Sequence, residues 1–339
     1  MTAAFELPAV LEASAPPATR DAVRLLVATA GGMTHAQFAD IASFLAPGDL
    51  VVVNTSATIP AAVDGRRADG SQVAVHFSTG VGDVQWLVEV RPPGRATGPV
   101  DDASLGETIR LPHGVDLRLV APYPFAAGRP RLWLAHVSLE GGVLDYLARV
   151  GRPIRYAYVP RPYPIEEYQT VFARDPGSAE MPSAGRPFTT EIVTQLITRG
   201  VAFAPITLHT GVSSLDAGEP PLPEWYRVPD ATARLIRVTR QAGGRVVAVG
   251  TTVTRALESV ADAAGQVRAG EGWTELRSGP SRPAHVVDGI VTGWHAPGAS
   301  HLDLLHAVAG GRLVDAAYAE ALREQYLGHE FGDSCLLLP

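Results

Sequence analysis

The sequence predicts an α/β protein: a discontinuous α/β body with an inserted, β-barrel-like domain. Helix and strand patterns alternate after Thr189, as they do in α/β bodies. A helix and a strand of the same kind precede residue 58, and the stretch that follows carries short apolar or alternating runs separated by glycine and proline. We therefore predict that residues 1–58 and 150–339 form the body and that residues 59–149 form the inserted domain.

The first elements of the body are predicted before residue 55. Residues 34–37 have the spacing of a capping box, and apolar residues follow on one helical face over 38–45. The pair Pro47-Gly48 ends this pattern. The sequence thus predicts a helix over 38–45 and a strand over 49–54.

The predicted insert is rich in short strands. Its strands are expected over 72–77, 86–90, 108–111, 116–120 and 131–137. Beyond it, residues 153–164 contain four prolines, which favour an ordered loop over a helix.

The body resumes with alternating elements. Helices are predicted over 190–199, from 252, from 300 and over 313–326, and strands over 201–209, 245–250, 284–292 and 335–338.

Composition excludes several kinds of chemistry. The 339 residues carry 28 Lys+Arg and 35 Asp+Glu, a formal net charge of −7. No lysine occurs, which excludes pyridoxal Schiff bases and P-loop nucleotide sites. The single cysteine, Cys335, excludes a disulfide framework and a multi-cysteine zinc site, and its apolar surroundings favour an inert buried thiol. The common motifs of dinucleotide-binding proteins, serine hydrolases and zinc proteases are absent.

The sequence shows no pattern typical of a signal peptide or a membrane span. The amino terminus lacks a basic segment followed by an apolar one, and apolar runs such as residues 50–53 are far shorter than the roughly 20 residues of a membrane span. A cytoplasmic protein without a membrane partner is expected. The acidic balance argues against indiscriminate nucleic-acid binding, although a local arginine patch is compatible with it.

Polar residues follow three predicted strands of the body. These are His209, the turn Gly250, Thr251 and Thr252, and His295. Open α/β sheets bind ligands at the carboxyl ends of their strands, and a helix that begins after Gly250 would stabilise an anion there. The alternative is that Thr252 only caps this helix and that each histidine only hydrogen-bonds a neighbouring loop.

Two further groups lie near these strand ends in the sequence. Arg255 and Glu258 either line the same cleft or form an ordinary surface pair one turn apart. Glu224 and Trp225, followed by a tyrosine, suit either the stacking of a purine or the packing of a loop. The residues by themselves predict a ligand-binding α/β protein.

Longer motifs resemble a known family. Residues 168–174 read YQTVFAR, residues 182–185 read PSAG and residues 248–259 read AVGTTVTRALES. Together they resemble the S-adenosylmethionine:tRNA ribosyltransferase-isomerase family of queuosine biosynthesis. The resemblance extends from Pro47-Gly48-Asp49-Leu50 to the closing Phe331-Gly332-Asp333.

The resemblance implies an α/β body with an inserted β-barrel and an unusual transfer reaction. S-adenosylmethionine donates its ribosyl part: a base removes a proton made acidic by the sulfonium, adenine and methionine depart, and the rearranged ribosyl skeleton joins the amine of a deazaguanine base in tRNA. S-adenosylmethionine is thus the implied co-substrate and tRNA the implied partner. No metal is called for, and the oligomeric state stays open.

Candidate site residues lie at the strand ends and loops described above and in the motifs that carry the resemblance. The candidate catalytic residues are His209, Glu224 and His295. We favour His209 as the base, because it ends a strand immediately before Thr210-Gly211, where the backbone allows close approach of a ligand. The candidate S-adenosylmethionine-binding residues are Tyr168, Gln169, Ser183, Gly185, Gly250, Thr251, Thr252, Arg255 and Trp225.

The chain also departs from the family pattern at polar positions. The family's Asn-Asp-Thr-Arg is Asn54-Thr55-Ser56-Ala57 here, and its Thr-Ala-Gly-Leu-His-Phe is SAGRPF over residues 183–188. These changes remove an acid, an arginine and a histidine. They leave two alternatives open: an enzyme that uses S-adenosylmethionine on a small-molecule acceptor, and a non-catalytic paralogue that binds a ligand or RNA.

Overall fold

The chain folds into a nine-stranded sheet and a six-stranded barrel. The structure is a computed structural model, and it describes residues 8–94, 98–123, 130–212, 222–277, 279, 282–295 and 300–339. Within these residues the strands are β1 (Arg24–Thr29), β2 (Gly32–Gln37), β3 (Leu50–Asn54), β4 (Ser56–Thr58), β5 (Ala62–Arg66), β6 (Gln72–Gly80), β7 (Gln85–Arg91), β8 (Thr108–Arg110), β9 (Asp116–Tyr123), β10 (Leu132–Ser138), β11 (Asp175–Ser178), β12 (Ala202–Leu208), β13 (Glu224–Val228), β14 (Val246–Val249), β15 (Gly270–Thr274), β16 (Gly289–Gly293) and β17 (Ser334–Leu338). The helices are α1 (Val143–Val150), α2 (Thr190–Thr198), α3 (Asp230–Gln241), α4 (Thr251–Ser259), α5 (Ser300–Ala309) and α6 (Gly311–Arg323).

The sheet has the strand order β15-β13-β12-β3-β14-β16-β17-β1-β2. Its four central strands β12, β3, β14 and β16 run parallel. Helices α3 to α6 cover one face, and α2 with the 3-10 turn Phe38–Ser43 covers the other. Strands covered on both faces need apolar side chains throughout, and β3 and β14 accordingly read LVVVN and VVAV.

The barrel closes in the order β10-β7-β6-β5-β8-β9. Large apolar side chains fill it, among them Phe77, Trp86 and Trp133. Helix α1 packs against this core through Tyr146 and Leu147, and the Tyr146 hydroxyl donates to the Pro112 carbonyl at 3.0 Å. The predicted fold class, an α/β protein with a barrel-like β insert, is confirmed.

Two short pairings join the chain that leaves the sheet to the chain that returns from the barrel. Strand β4, directly after β3, pairs in parallel with β11. Ala62 forms an isolated antiparallel bridge with Arg152. The segment after β3 and the segment before β12 are therefore held side by side next to the end of β3.

The helix predicted over 38–45 and its capping box at 34–37 are wrong. Thr34 lies in β2 and pairs with Val27 of β1, so strand hydrogen bonds occupy its backbone. The capping box that forms joins Gln37 to Asp40, and it opens only the 3-10 turn Phe38–Ser43.

Two other boundaries differ from the prediction. The strand predicted over 284–292 is limited to β16, because the N–H groups of His285 and Val286 donate to the Glu258 carboxylate instead of to a neighbouring strand. The last helix stops at Arg323, and Gln325 adopts a left-handed φ of 57°. The other predicted strands and helices are present with end shifts of a few residues, and residues 153–164 contain no helix or strand.

Across the described ranges, no helix combines the length and the apolar character that crossing a bilayer requires.

Candidate functional site

The carboxyl ends of the four parallel strands meet at one edge of the sheet. Asn54 ends β3, His209 follows β12, Gly250 follows β14 and His295 lies two residues beyond β16. Strand β13 is antiparallel to β12 and begins at the same edge, where the His209 N–H donates to the Trp225 carbonyl at 3.0 Å. All three candidate catalytic residues therefore lie at this one edge, which we call the carboxyl edge.

Asn54 fixes the geometry of the carboxyl edge. Its side chain is 3% exposed, and its Oδ1 accepts from the N–H groups of Leu208 and Ser56, each at 3.0 Å. Its Nδ2 donates to the Leu208 carbonyl at 2.8 Å and to the Thr252 hydroxyl at 3.4 Å. One carboxamide thus ties together the ends of two strands and the start of α4, a role that sequence reasoning did not assign to it.

His209 lies in a tightly defined environment. Its Nδ1 is 2.7 Å from the Ser56 hydroxyl, which in turn is 2.6 Å from the Ser178 hydroxyl. The indole of Trp225 stacks on the imidazole, with ring centroids 5.3 Å apart and planes inclined by 20°. Burial lowers the pKa of His209, so the ring is uncharged at neutral pH.

Glu224 and Arg255 form a buried ion pair. Their side chains are 13% and 7% exposed, and Nη1 of Arg255 contacts Oε2 of Glu224. The Gly211 N–H donates to the same carboxylate at 3.3 Å, and Arg255 also donates to the carbonyls of Leu222 and Thr274, each at 3.2 Å.

Burial raises the pKa of Glu224, while Arg255 opposes that rise. Because the two charges neutralise each other in the ion pair, the Glu224 and Arg255 side chains form a fixed wall of the carboxyl edge. Glu258, the other carboxylate considered with Arg255, caps the N–H groups of residues 285–287 instead.

The turn after β14 has the form that was expected of an anion site. Gly250 adopts a φ of 92°, and its N–H donates to the Val291 carbonyl at 2.8 Å. Helix α4 begins at Thr251, and no side chain of the described residues caps it. The first N–H groups of an uncapped helix lack internal partners and favour negative charge.

The 3-10 turn Ser183–Gly185 lies against this glycine. A β-carbon built on Gly250 would stand 3.3 Å from the Cβ of Ala184. The structure therefore brings the expected ligand-binding residues Ser183 and Gly185 close to Gly250, although they are far apart in sequence.

Tyr168 and Gln169 make structural contacts in the segment that flanks the turn Ser183–Gly185. The Gln169 side chain receives the Thr58 N–H at 3.0 Å and donates to the Thr58 carbonyl at 2.7 Å. Tyr168 is 4% exposed, and its ring packs on Phe331 with centroids 5.3 Å apart. Gln169 thus ties the end of β4 to the segment that returns from the barrel, and Tyr168 packs in the small core around Phe331.

His295 lies among aromatic residues at the far side of the carboxyl edge. Its Nε2 is 3.2 Å from the Thr292 hydroxyl, and its ring stacks on His301 with centroids 4.4 Å apart. Burial holds the pKa of His295 well below its usual value and lowers the pKa of His301 to about 4. Residues 296–299, which directly follow His295, lie outside the described residues.

A pocket that is partly open to solvent adjoins the 3-10 turn Ser183–Gly185. Its polar lining includes Ser183, Arg186 and Glu330. The Tyr158 hydroxyl donates to Glu330, and Arg186 pairs with Glu167 at 2.7 Å. Sequence reasoning did not assign Arg186 or Glu330 to the site; the available signals were that Arg186 directly follows the PSAG motif and that Glu330 directly precedes Phe331-Gly332-Asp333.

Within the part of the chain that the structure describes, no group of three or more histidine, cysteine, aspartate or glutamate side chains is arranged to hold a metal ion.

Comparisons with known proteins agree with one another. The profile of a family described as "Queuosine biosynthesis protein" matches residues 2–337. The chain is 36% identical to the S-adenosylmethionine:tRNA ribosyltransferase-isomerase of Symbiobacterium thermophilum, with 98% of each protein covered. It is 35% identical to the protein of the same name from Gloeobacter violaceus, with 99% of this chain and 94% of the relative covered.

A solved structure is similar as well. The S-adenosylmethionine tRNA ribosyltransferase of Thermotoga maritima superposes with a TM-score of 0.54 at 29% identity, covering 98% of this chain and 99% of the other. The sequence similarity and the structural similarity both extend over nearly the whole chain.

Proposed function

Because the chain belongs to the queuosine biosynthesis protein family, we propose that it is an S-adenosylmethionine:tRNA ribosyltransferase-isomerase. In this reaction the ribosyl part of S-adenosylmethionine is transferred to an amine of a deazaguanine base in tRNA and isomerised, and adenine and methionine are released. The observation that carries the proposal is the similarity over nearly the full length of both chains to relatives of that name. It supports tRNA over a small molecule as the acceptor and catalysis over inert binding.

We place S-adenosylmethionine at the carboxyl edge. The uncapped start of α4 after Gly250 and the adjoining turn Ser183–Gly185 offer backbone N–H groups to the polar part of the donor. Trp225 is the better candidate for contact with adenine, since it is half-buried at this edge whereas Tyr168 is buried against Phe331. The Glu224–Arg255 pair shapes the wall, and Nε of Arg255 is buried without a partner among the described residues.

Proton removal next to the sulfonium requires an acceptor that is unprotonated at working pH. Burial keeps both imidazoles at the carboxyl edge, His209 and His295, in the uncharged form. Glu224 is less suited, because Arg255 and the Gly211 N–H occupy its carboxylate oxygens. The proposed proton chemistry therefore belongs to the histidines.

The test is adenine and methionine release, measured by mass spectrometry. Purified protein is incubated with S-adenosylmethionine and tRNA that carries the aminomethyl-deazaguanine base, and the same tRNA with unmodified guanine serves as the control. Release that depends on the modified base is expected.

Titration calorimetry with S-adenosylmethionine and S-adenosylhomocysteine separates binding from turnover. Binding without release on any tRNA would overturn the transferase assignment, and the absence of binding to folded protein would overturn the donor site.

A further inference from the structure

Two buried serine hydroxyl groups form a chain of hydrogen bonds that ends at His209. Ser56 is 1% exposed and Ser178 is 0% exposed, so water does not serve either hydroxyl. The Thr210 N–H donates to the Ser178 hydroxyl oxygen at 3.0 Å, and an N–H donates in only one direction. The Thr210 N–H is therefore the first donor in the chain of hydrogen bonds.

The remaining hydrogens follow in sequence. Among the described residues, the only acceptor for the Ser178 hydroxyl hydrogen is the Ser56 oxygen, 2.6 Å away. The Ser56 hydrogen then points to Nδ1 of His209 at 2.7 Å. Every buried hydrogen has an acceptor in this arrangement, and Nδ1 is the unprotonated nitrogen of the ring.

The opposite direction leaves a hydrogen without a partner. If Nδ1 carried the proton, it would donate to Ser56, Ser56 would donate to Ser178, and the Ser178 hydrogen would have no acceptor within the described part of the chain. Buried polar hydrogens are rarely left unpaired, because their loss of hydration is uncompensated. The first arrangement is therefore the stable one.

We infer that Ser178 and Ser56 are positioning residues that hold uncharged His209 in the tautomer with its proton on Nε2. No described residue partners Nε2, and this atom is not fully buried, so it is the ring nitrogen that remains available to a ligand. His209 thus presents a hydrogen-bond donor to a lone pair of the bound substrate. This assignment rests on the proposed function only for the identity of that substrate.

The tautomer of His209 decides which residue at the carboxyl edge can accept the substrate proton. The sequence favoured His209 as the proton acceptor, whereas the hydroxyl chain makes the accessible nitrogen a donor. Acceptance of the sulfonium-activated proton then belongs to another group, for which His295, the other histidine at the carboxyl edge, is the candidate.

The first experiment reads the tautomer without any substrate. Long-range nitrogen–proton NMR spectra of histidine-labelled protein distinguish protonated from unprotonated ring nitrogens, and the His209→Gln variant assigns the signals. We expect Nδ1 to be unprotonated in the wild-type protein and Ser56→Ala, which removes the hydroxyl that donates to Nδ1, to shift His209 toward a mixture of tautomers. A protonated Nδ1 in the wild-type protein would overturn the inference, whatever the outcome for the proposed function.

The second experiment separates donor from base. The amide of His209→Gln still donates a hydrogen bond, so turnover should stay within about tenfold of wild type, whereas His209→Ala should lose most of it. A general base would instead lose roughly 10²–10⁴-fold in His209→Gln. A loss of that size with unchanged S-adenosylmethionine affinity would overturn the donor role; His136→Gln, an exposed histidine on the barrel, is the control.

Discussion

Gly177 lies directly against the imidazole ring of His209. A β-carbon built on Gly177 would stand 2.5 Å from Nδ1 of the ring and 2.6 Å from its Cγ and Cε1. Gly177 belongs to β11 and His209 follows β12. The pairing of β11 with β4 thus places backbone without a side chain against the imidazole ring. The position of the histidine thus depends on the absence of a side chain more than thirty residues earlier in the chain.

Gly177→Ala should displace the ring. The added methyl group occupies the space of the imidazole, so His209 must move away from Ser56 and lose its 2.7 Å hydrogen bond. We expect adenine release to fall at least about tenfold and the free energy of unfolding to fall by about 1–3 kcal/mol, as in other overpacked sites. Gly82→Ala is the matched control, because the nearest atom to its β-carbon would be 3.8 Å away; equal losses in both variants would contradict the prediction.

Arg255→Met should be strongly destabilising. It leaves the Glu224 carboxylate, 13% exposed, without its partner, and removal of one member of a buried pair costs about 3–5 kcal/mol. Without Arg255 the burial of Glu224 raises its pKa further, so protonation at lower pH relieves the cost. Urea unfolding should therefore show a smaller deficit near pH 5 than near pH 7.5.

The control for that variant is Arg234→Ala. Arg234 and Asp230 are 58% and 66% exposed and are one helical turn apart, so their pair should contribute less than about 0.5 kcal/mol. A deficit in Arg255→Met that does not shrink on acidification would show that Glu224 is not the group left uncompensated.

Asn54→Ala should loosen the carboxyl edge. The change leaves the N–H groups of Ser56 and Leu208 without the acceptor that now lies 3.0 Å from each. Each buried unsatisfied group costs about 1–3 kcal/mol, so a total loss of about 3 kcal/mol is expected in urea unfolding. Gln241→Ala, at an exposed helix end, should be nearly neutral. A loss below about 1 kcal/mol for Asn54→Ala would mean that water replaces the carboxamide.

The stability of the protein should fall on mild acidification, in part through His76 of the barrel. Burial lowers the pKa of His76 to about 4, and its side chain is 12% exposed. Between that pKa and the unfolded value near 6.5, the unfolded chain binds a proton that the native protein does not, so stability decreases as pH falls. At pH 5 the loss from this residue is about 2 kcal/mol relative to neutral pH.

His76→Gln removes that titration. The variant should lose about 2 kcal/mol less than the wild-type protein between pH 7.5 and pH 5 in urea unfolding. His136→Gln, an exposed histidine on the same barrel, should keep the wild-type pH dependence. Parallel curves for wild type and His76→Gln would refute the assignment.

Sequence patterns located the strongly apolar strands because burial on both faces leaves little choice of side chain. Strand β1, which reads RLLVAT, has such a pattern and was still not predicted, whereas other missed elements lack it. Strand β2 is an edge strand whose residues are mostly exposed, and α3 buries two threonines beside Ala233 and Ile236, which conceals its apolar stripe. Strand β4 has only three residues, and its pairing with β11 joins segments more than a hundred residues apart.

The site divides in the same way. The strand-end motifs at His209, Gly250 and His295 were recognisable in the sequence, because turns at the ends of parallel strands require glycine and expose polar groups. The side-chain partners of the residues next to these motifs were not recognisable in the sequence. Arg255 was expected to face a ligand or Glu258, yet it is bound to Glu224, thirty-one residues earlier.

The sequence by itself determined the fold class, the family and the strand ends at which polar residues collect, since periodicity and local motifs are properties of neighbouring residues. Only the tertiary structure decided which hydrogen bonds those residues make. The tautomer of His209 depends on Ser56, Ser178 and the Thr210 N–H, which come from three separate segments. The direction of a hydrogen bond is set by the partners that remain once water is excluded, and those partners are known only when the chain has folded.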